Sequence, residues 1–241
     1  MLPLRAFQIS CGLGAGNIGD ELIGRAFWRT IPPDWRLRIV LFPEHARQRA
    51  PYPPQHEYVP VDYGGNESVR AGSVPGLLVG ATPVTEAEGL HFPLQFLAPR
   101  LKYFHQRRLP VHALGVGVDR LQSSKALALF KEAFLPIRSW TVRSGPCQQA
   151  LVEMGVDPAR VRVGADWAWL HEEQEDKSDW AASRWRSLGV DTSKPLLVAN
   201  VVRMGWKNAR EARVNIARAF DELSARHGYQ IAFFCNDFRD G

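Results

Sequence analysis

Residues 111–166 read VHALGVGVDRLQSSKALALFKEAFLPIRSWTVRSGPCQQALVEMGVDPARVRVGAD, and this stretch decides the fold. It opens on a short apolar run, residues 111–116, that ends among Gly115 and Gly117. Ser123 or Ser124 then caps a helix whose Leu127, Phe130 and Phe134 recur at i, i+3 and i+7. Residues 139–142 form the next strand. Ser144 caps a second helix with Pro146 in its first turn, and Gly155 stops it. Residues 161–163 return as a strand leading into Gly164, Ala165 and Asp166. Strands that alternate with helices through short loops predict a parallel sheet covered on both faces.

The same alternation extends outward. Residues 6–11 predict a first strand running into a glycine-rich turn, with a helix from about Gly19 to Trp28. Further strands are expected at 38–42 and 77–80, and a helix at 101–108. Seven prolines between Pro32 and Pro60 predict irregular or sheet-edge structure there. The polar stretch 172–179 reads as a linker or a helix start. We therefore expect an amino-terminal Rossmann-like domain over 1–171, a linker over 172–194, and the beginning of a second Rossmann-like domain over 195–241. In that second unit, 196–202 and 230–235 read as strands. Asn208 with Glu211 marks a helix start, Ala212, Ile216, Phe220 and Leu223 its buried stripe, and Gly228 its end. One strand–helix–strand unit leaves edges and a face uncovered, so the second domain reads as incomplete.

Composition narrows the class. Of 241 residues, 45% are hydrophobic and 23% charged, which excludes a disordered chain, a coiled coil and a collagen-like fibre. Thirty basic and twenty-five acidic residues give a net charge of +5. The arginines are scattered rather than clustered, so no nucleic-acid partner is expected. Cys11, Cys147 and Cys235 are too far apart for a zinc site and odd in number, which suits a reducing compartment. Residues 1–11 carry Arg5 within their apolar stretch and read as a strand rather than a signal peptide. No apolar run is long enough to span a membrane. A cytoplasmic protein is expected, with peripheral membrane association still compatible.

Four places offer chemistry. The first is the turn from Gly12 to Glu21. Gly14, Gly16 and Gly19 match a G-x-G-x-x-G spacing, and Glu44 stands where a ribose-binding acid would. Asp20 and Glu21, however, already complement the positive end of the helix dipole and would repel a pyrophosphate. Three readings stand: the pair stabilises the helix start, it contacts the hydroxyls of a sugar, or the turn binds a dinucleotide. The second place is Arg143 with Ser144, where a strand ends and a helix begins. Strand ends collect ligands, helix amino ends offer N–H groups to anions, and a guanidinium adds a bidentate fork. A phosphate or carboxylate would fit, unless Arg143 is simply paired with an acid. The third is Asp166, placed to orient Arg143 or to cap its loop. The fourth is Arg203, at the end of the second unit's first strand and followed by Trp206 and Lys207. The seven histidines show no metal-ligand spacing, and no metal or cofactor is expected. Among the tryptophans only Trp167 and Trp169 flank a candidate site.

These segments, in this order, resemble the polysaccharide pyruvyl transferase family. The residues that carry the resemblance are Gly16-Asn17-Ile18-Gly19-Asp20-Glu21, the run from Leu109 to Gly117, Trp140-Thr141-Val142-Arg143-Ser144, the run from Leu151 to Val156, and Gly164-Ala165-Asp166. The resemblance covers most of 8–170 and, more loosely, 195–240. It implies two Rossmann-type domains in a glycosyltransferase B-like arrangement. It also implies transfer of the enolpyruvyl unit of phosphoenolpyruvate onto two hydroxyls of a sugar or lipid-linked saccharide, forming a pyruvate ketal in cell-surface polysaccharide synthesis. Donor contacts would come from Arg143, Ser144 and Arg203, and acceptor contacts from Asn17, Asp20 and Glu21. The family's Arg-x-His motif in the carboxyl-terminal domain has no counterpart in these 241 residues, so the general acid stays unassigned. The family's Gly-Gly after the third strand is Gly80-Ala81 here. A nucleotide-sugar glycosyltransferase and a non-catalytic sugar- or anion-binding remnant are the other readings.

Overall fold

The computed structural model describes residues 3–9, 12–42, 52–62, 64–86, 89, 91–170, 177–200 and 209–234. The chain divides into two compact units, Met1–His171 and Glu172–Gly241.

Unit 1 is built on a seven-stranded parallel sheet. Its strands are β1 (Leu4–Ile9), β2 (Arg36–Leu41), β3 (Glu57–Pro60), β4 (Gly76–Val79), β5 (Val111–Val116), β6 (Ser139–Val142) and β7 (Val161–Val163), in the spatial order β3-β2-β1-β4-β5-β6-β7. This is a Rossmann-like α/β fold, as expected from the alternation. The proline-rich stretch contributes β3, which lies at the sheet edge, where a strand ending in Pro60 forfeits no ladder bond on its open side.

The period-two alternation of the strands sorts side chains between two cores. In β1, Phe7 and Ile9 point to the larger core, and Ala6 and Gln8 to the other side. The larger core is closed by α2 (Phe96–Gln106), by α3 (Ser124–Leu129) with its wider continuation Phe130–Phe134, and by α4 (Gly145–Glu153). α2 begins five residues earlier than its apolar periodicity indicates, because Phe96 and Leu97 are buried against the sheet. Ser123 is the residue that caps α3, and the carboxylate of Glu86 accepts from the backbone N–H groups of Gln122 and Ser123 at the same helix end. The smaller core is closed by α1 (Ile18–Thr30) through Ile23, Phe27 and Trp28.

Unit 2 holds α5 (Ser178–Ser187), β8 (Leu196–Ala199), α6 (Ala209–His227) and β9 (Gln230–Phe233), with β8 and β9 parallel. Within 172–194, expected as a linker with a helix start as the other reading of 172–179, the described residues contain the ten-residue α5. Ala212, Ile216, Phe220 and Leu223 are half-buried while the other described side chains of α6 are exposed, so the stripe read from spacing is the face α6 turns inward. None of the described residues of unit 2 is fully buried, and Phe233 remains 67% exposed. Cys147 is buried and reduced, whereas Cys11 and Cys235 lie outside the described residues. No helix among the described residues is long and apolar enough to cross a membrane, and none of their His, Cys, Asp or Glu side chains cluster in threes as metal ligands.

This contrast in burial sets an expectation for hydrogen exchange on the 241-residue chain. Amides of β1, β4, β5 and β6 should be strongly protected, while those of β8 and β9 exchange fast, because sparse apolar burial permits cheap local opening. Equal protection in β9 and β5 would contradict this reading.

Three histidines of unit 1 should make its stability pH-dependent. Burial lowers the pKa of His56, His105 and His112, and at His112 the nearby Arg138 charge adds to the effect. His56 Nδ1 accepts from the Leu37 N–H, a bond only the unprotonated nitrogen can make. Folded-state pKa values below the unfolded value of about 6.5 favour the folded state above that pH, and the benefit is lost as pH falls through the folded values. Urea midpoints should therefore fall from pH 7 to pH 5, and imidazole NMR titrations should give all three midpoints below about 6.5. A midpoint above that value for any of the three would contradict its assigned cause.

Candidate functional site

In the strand order the chain reverses direction between β1 and β4. Ligands of open parallel sheets sit beyond the carboxyl ends of the strands at such a reversal. The glycine-rich turn after β1 lies there. Gly14 has φ 80°, and a side chain on it would stand 2.2 Å from the Phe42 carbonyl oxygen. The turn is tied to the end of β2 by the Phe42 N–H donating to the Leu13 carbonyl at 2.8 Å.

The two carboxylates of the turn behave differently. Glu21, 6% exposed, accepts from the Gly14 N–H at 2.9 Å and from the Tyr52 hydroxyl at 3.1 Å. These bonds place it to hold the turn from beneath. Its carboxylate also occupies an amide that a pyrophosphate would need, so the dinucleotide reading loses that donor. Asn17 caps α1, its side-chain oxygen accepting from the Asp20 N–H at 3.2 Å. Its carbonyl oxygen is committed to the helix rather than presented to an acceptor. Asp20 is half-buried. Its carboxylate lies over Gly12, where a Cβ would be 1.9 Å from Oδ2. A shallow pocket, open to solvent and with room for about one water-sized group, is lined there by Gln8, Gly12, Asp20, Ile23, Val79 and Ala81, among others.

Arg143 stands at the end of β6. Its Nη1 donates to Asp166 Oδ2 at 3.2 Å and its Nη2 to Thr82 Oγ1 at 3.0 Å. The guanidinium lies across Gly117, where a Cβ would be 2.7 Å from Nη2. Asp166 both orients Arg143 and caps its own loop, its Oδ1 accepting from the Ala168 N–H at 2.9 Å. The loop is bolted down by Trp167, which donates to the Leu114 carbonyl at 2.9 Å and packs edge-on against Phe27 of α1. Gly115, with φ 65°, makes room for that indole at a register shift between β5 and β6. Trp167 is therefore a support, whereas Trp169 is exposed.

The Arg143 side chain is 39% exposed, and its partner acid is 18% exposed. An ion pair so open to water contributes about 0–1 kcal/mol. It aims the guanidinium without saturating its five N–H donors. Ser144 caps α4. Its hydroxyl accepts from the Cys147 N–H and donates to Cys147 Sγ, so what this helix end offers a ligand is backbone N–H rather than the serine side chain. The two halves of the site meet at the end of β4. Ala81 lines the Asp20 pocket, and Thr82, the next residue, holds Arg143. Sequence reasoning missed Thr82 and Gln8. Nothing marks Thr82 within its polar turn, whereas Gln8 is marked as a polar residue between Phe7 and Ile9. Arg203 lies outside the described residues, as do Glu44, Trp206 and Lys207.

The chain is similar to a solved sugar-nucleotide enzyme. That structure is UDP-GlcNAc 2-epimerase from Methanocaldococcus jannaschii, matched with a TM-score of 0.54 at 11% identity. The match covers 96% of this chain and 64% of the epimerase, so the chain spans less than two thirds of that enzyme's length. At this identity the likeness establishes the Rossmann-like α/β fold alone. No family model matches the chain, and no curated protein matches it.

Proposed function

We propose that the chain is a pyruvyl transferase of polysaccharide synthesis, moving the enolpyruvyl unit of phosphoenolpyruvate onto two hydroxyls of a sugar. The observation that carries this reading is the junction at the end of β4. Consecutive residues, Ala81 and Thr82, join a pocket holding the Asp20 carboxylate to a guanidinium fixed by Asp166. An acceptor hydroxyl and an anionic donor would thereby lie side by side.

The residue types suit the chemistry. Phosphoenolpyruvate carries a phosphate and a carboxylate, and Arg143 with the amino end of α4 supplies charge-assisted donors for them. Protonation of the methylene carbon generates an oxocarbenium-like centre at the adjacent carbon, which the first hydroxyl attacks as it gives up its proton. The carbon–phosphate oxygen bond then breaks, phosphate departs, and the second hydroxyl closes the ketal. Asp20 is the acceptor-side carboxylate in this scheme. The general acid is not assigned among the described residues.

Titration calorimetry of the 241-residue chain with phosphoenolpyruvate and, separately, with nucleotide sugars tests the proposal. Phosphoenolpyruvate should bind. Binding of nucleotide sugars alone would overturn pyruvyl transfer and favour a nucleotide-sugar enzyme, the class to which the structural neighbour's name belongs.

A further inference from the structure

Resting on the reading of the Asp20 pocket as a saccharide site, we infer that Gln8 is a specificity residue, its carboxamide N–H₂ donating to the oxygen of the sugar hydroxyl whose hydrogen Asp20 accepts. Gln8 sits in β1 at 1% exposure, on the face turned toward α1, and it lines the pocket. Trp28 Nε1 lies 2.8 Å from Gln8 Oε1. An indole N–H can only donate, so the amide oxygen is fixed on Trp28 and the group left for the pocket is the nitrogen with its two hydrogens. Trp28 is itself held, edge-on against Tyr52 and Tyr58. The orientation is therefore set before any ligand arrives.

A donor and a carboxylate on one small pocket select a particular chemistry. A hydroxyl satisfies both, accepting from Gln8 and donating to Asp20. An anion would be repelled by Asp20, and an ammonium would leave the Gln8 donors unused. A buried polar residue in a strand core is costly unless its hydrogen-bonding groups are used. Half of Gln8 is used by Trp28, and the ligand would use the other half.

The test reads Gln8 directly. In ¹H–¹⁵N spectra of the full chain, the Gln8 carboxamide pair is identified by its loss in Gln8→Glu. It is titrated with glucose, galactose, mannose and N-acetylglucosamine, each up to about 100 mM to reach weak binding, and separately with phosphoenolpyruvate. At least one sugar should move the Gln8 pair along a saturating curve, and phosphoenolpyruvate should not. Gln8→Glu keeps the acceptor for Trp28, so the Trp28 indole N–H signal should persist and report an intact fold. That variant should bind the same sugar roughly 10-fold more weakly at pH 8, with recovery on acidification as the carboxyl regains an O–H donor. Gln8 signals unmoved by every sugar, or unchanged sugar affinity in Gln8→Glu at pH 8, would overturn the assignment. Absence of phosphoenolpyruvate binding would instead count against pyruvyl transfer and leave the Gln8 result standing.

Discussion

Arg100→Met should destabilise the protein by about 3–5 kcal/mol, the cost of breaking a buried ion pair from one side. Arg100 is fully buried in α2. Its Nε donates to Glu67 Oε1 at 2.6 Å and its Nη2 to the Asp62 carbonyl at 2.5 Å, while Nη1 donates to the Phe96 carbonyl. The guanidinium also lies over the Phe96 ring, 3.8 Å from its centroid. Glu67 is buried, and its Oε2 has no hydrogen-bond partner among the described residues. Burial pushes the Glu67 carboxyl up, and the Arg100 charge opposes that push first, followed by a backbone hydrogen bond and the Arg100 hydrogen bond.

Removing Arg100 would strand the carboxylate. A group with its folded-state pKa raised stabilises the fold below its unfolded pKa and loses that benefit as pH rises through the folded value. The loss in Arg100→Met should therefore be larger at pH 8 than at pH 4.5. Replacing both partners, Arg100→Met with Glu67→Leu, should recover most of the stability, because no charge is then left in the core. Urea denaturation of the three proteins at the two pH values checks all of this. A loss under about 1 kcal/mol for the single variant would show that the pair is not carrying this helix.

Arg143→Ala should weaken phosphoenolpyruvate binding about 10- to 150-fold, the equivalent of roughly 1.5–3 kcal/mol for a lost charged hydrogen-bonding partner. The guanidinium is aimed by Asp166 and Thr82 and seated on Gly117, yet it is 39% exposed, so its removal should leave the unfolding midpoint nearly unchanged. Asp166→Asn should weaken binding less, since the guanidinium survives and only its orientation loosens. Calorimetry on the folded variants reads both effects. Unchanged donor affinity in Arg143→Ala would remove Arg143 from the site.

Some of this was legible from spacing. Residues 111–166 place β5, β6 and β7 at the observed bounds, because short buried strands run as unbroken apolar stretches and Ser123, Ser144 and Gly155 punctuate the helices between them. The stripe of α6 was equally readable. β3 was legible only as irregular or edge structure, since the prolines around it blur the strand pattern and pairing with β2 creates the strand. The start of α5 was one of two readings of the polar stretch 172–179, but no apolar stripe decided between linker and helix.

The candidate site divides along the same line. Its residue types, its strand-end positions and the pairing of a glycine turn with two acids are properties of the chain and follow from local rules. Which of two adjacent carboxylates is buried is not such a property. Asp20 and Glu21 are neighbours on a helix, so a turn of about 100° separates them. Only the packed fold, with Gly14 and Tyr52 beneath that helix, decides that Glu21 goes inward. Thr82 meets Arg143 across sixty-one residues, and Gln8 meets Trp28 across twenty. Contacts of that kind exist only after β1, β4, β5 and β6 have lain side by side and brought their carboxyl ends to one edge. The sequence by itself determined which residues stand at that edge. The tertiary structure decided which of them are spent on holding it together and which are left to meet a ligand.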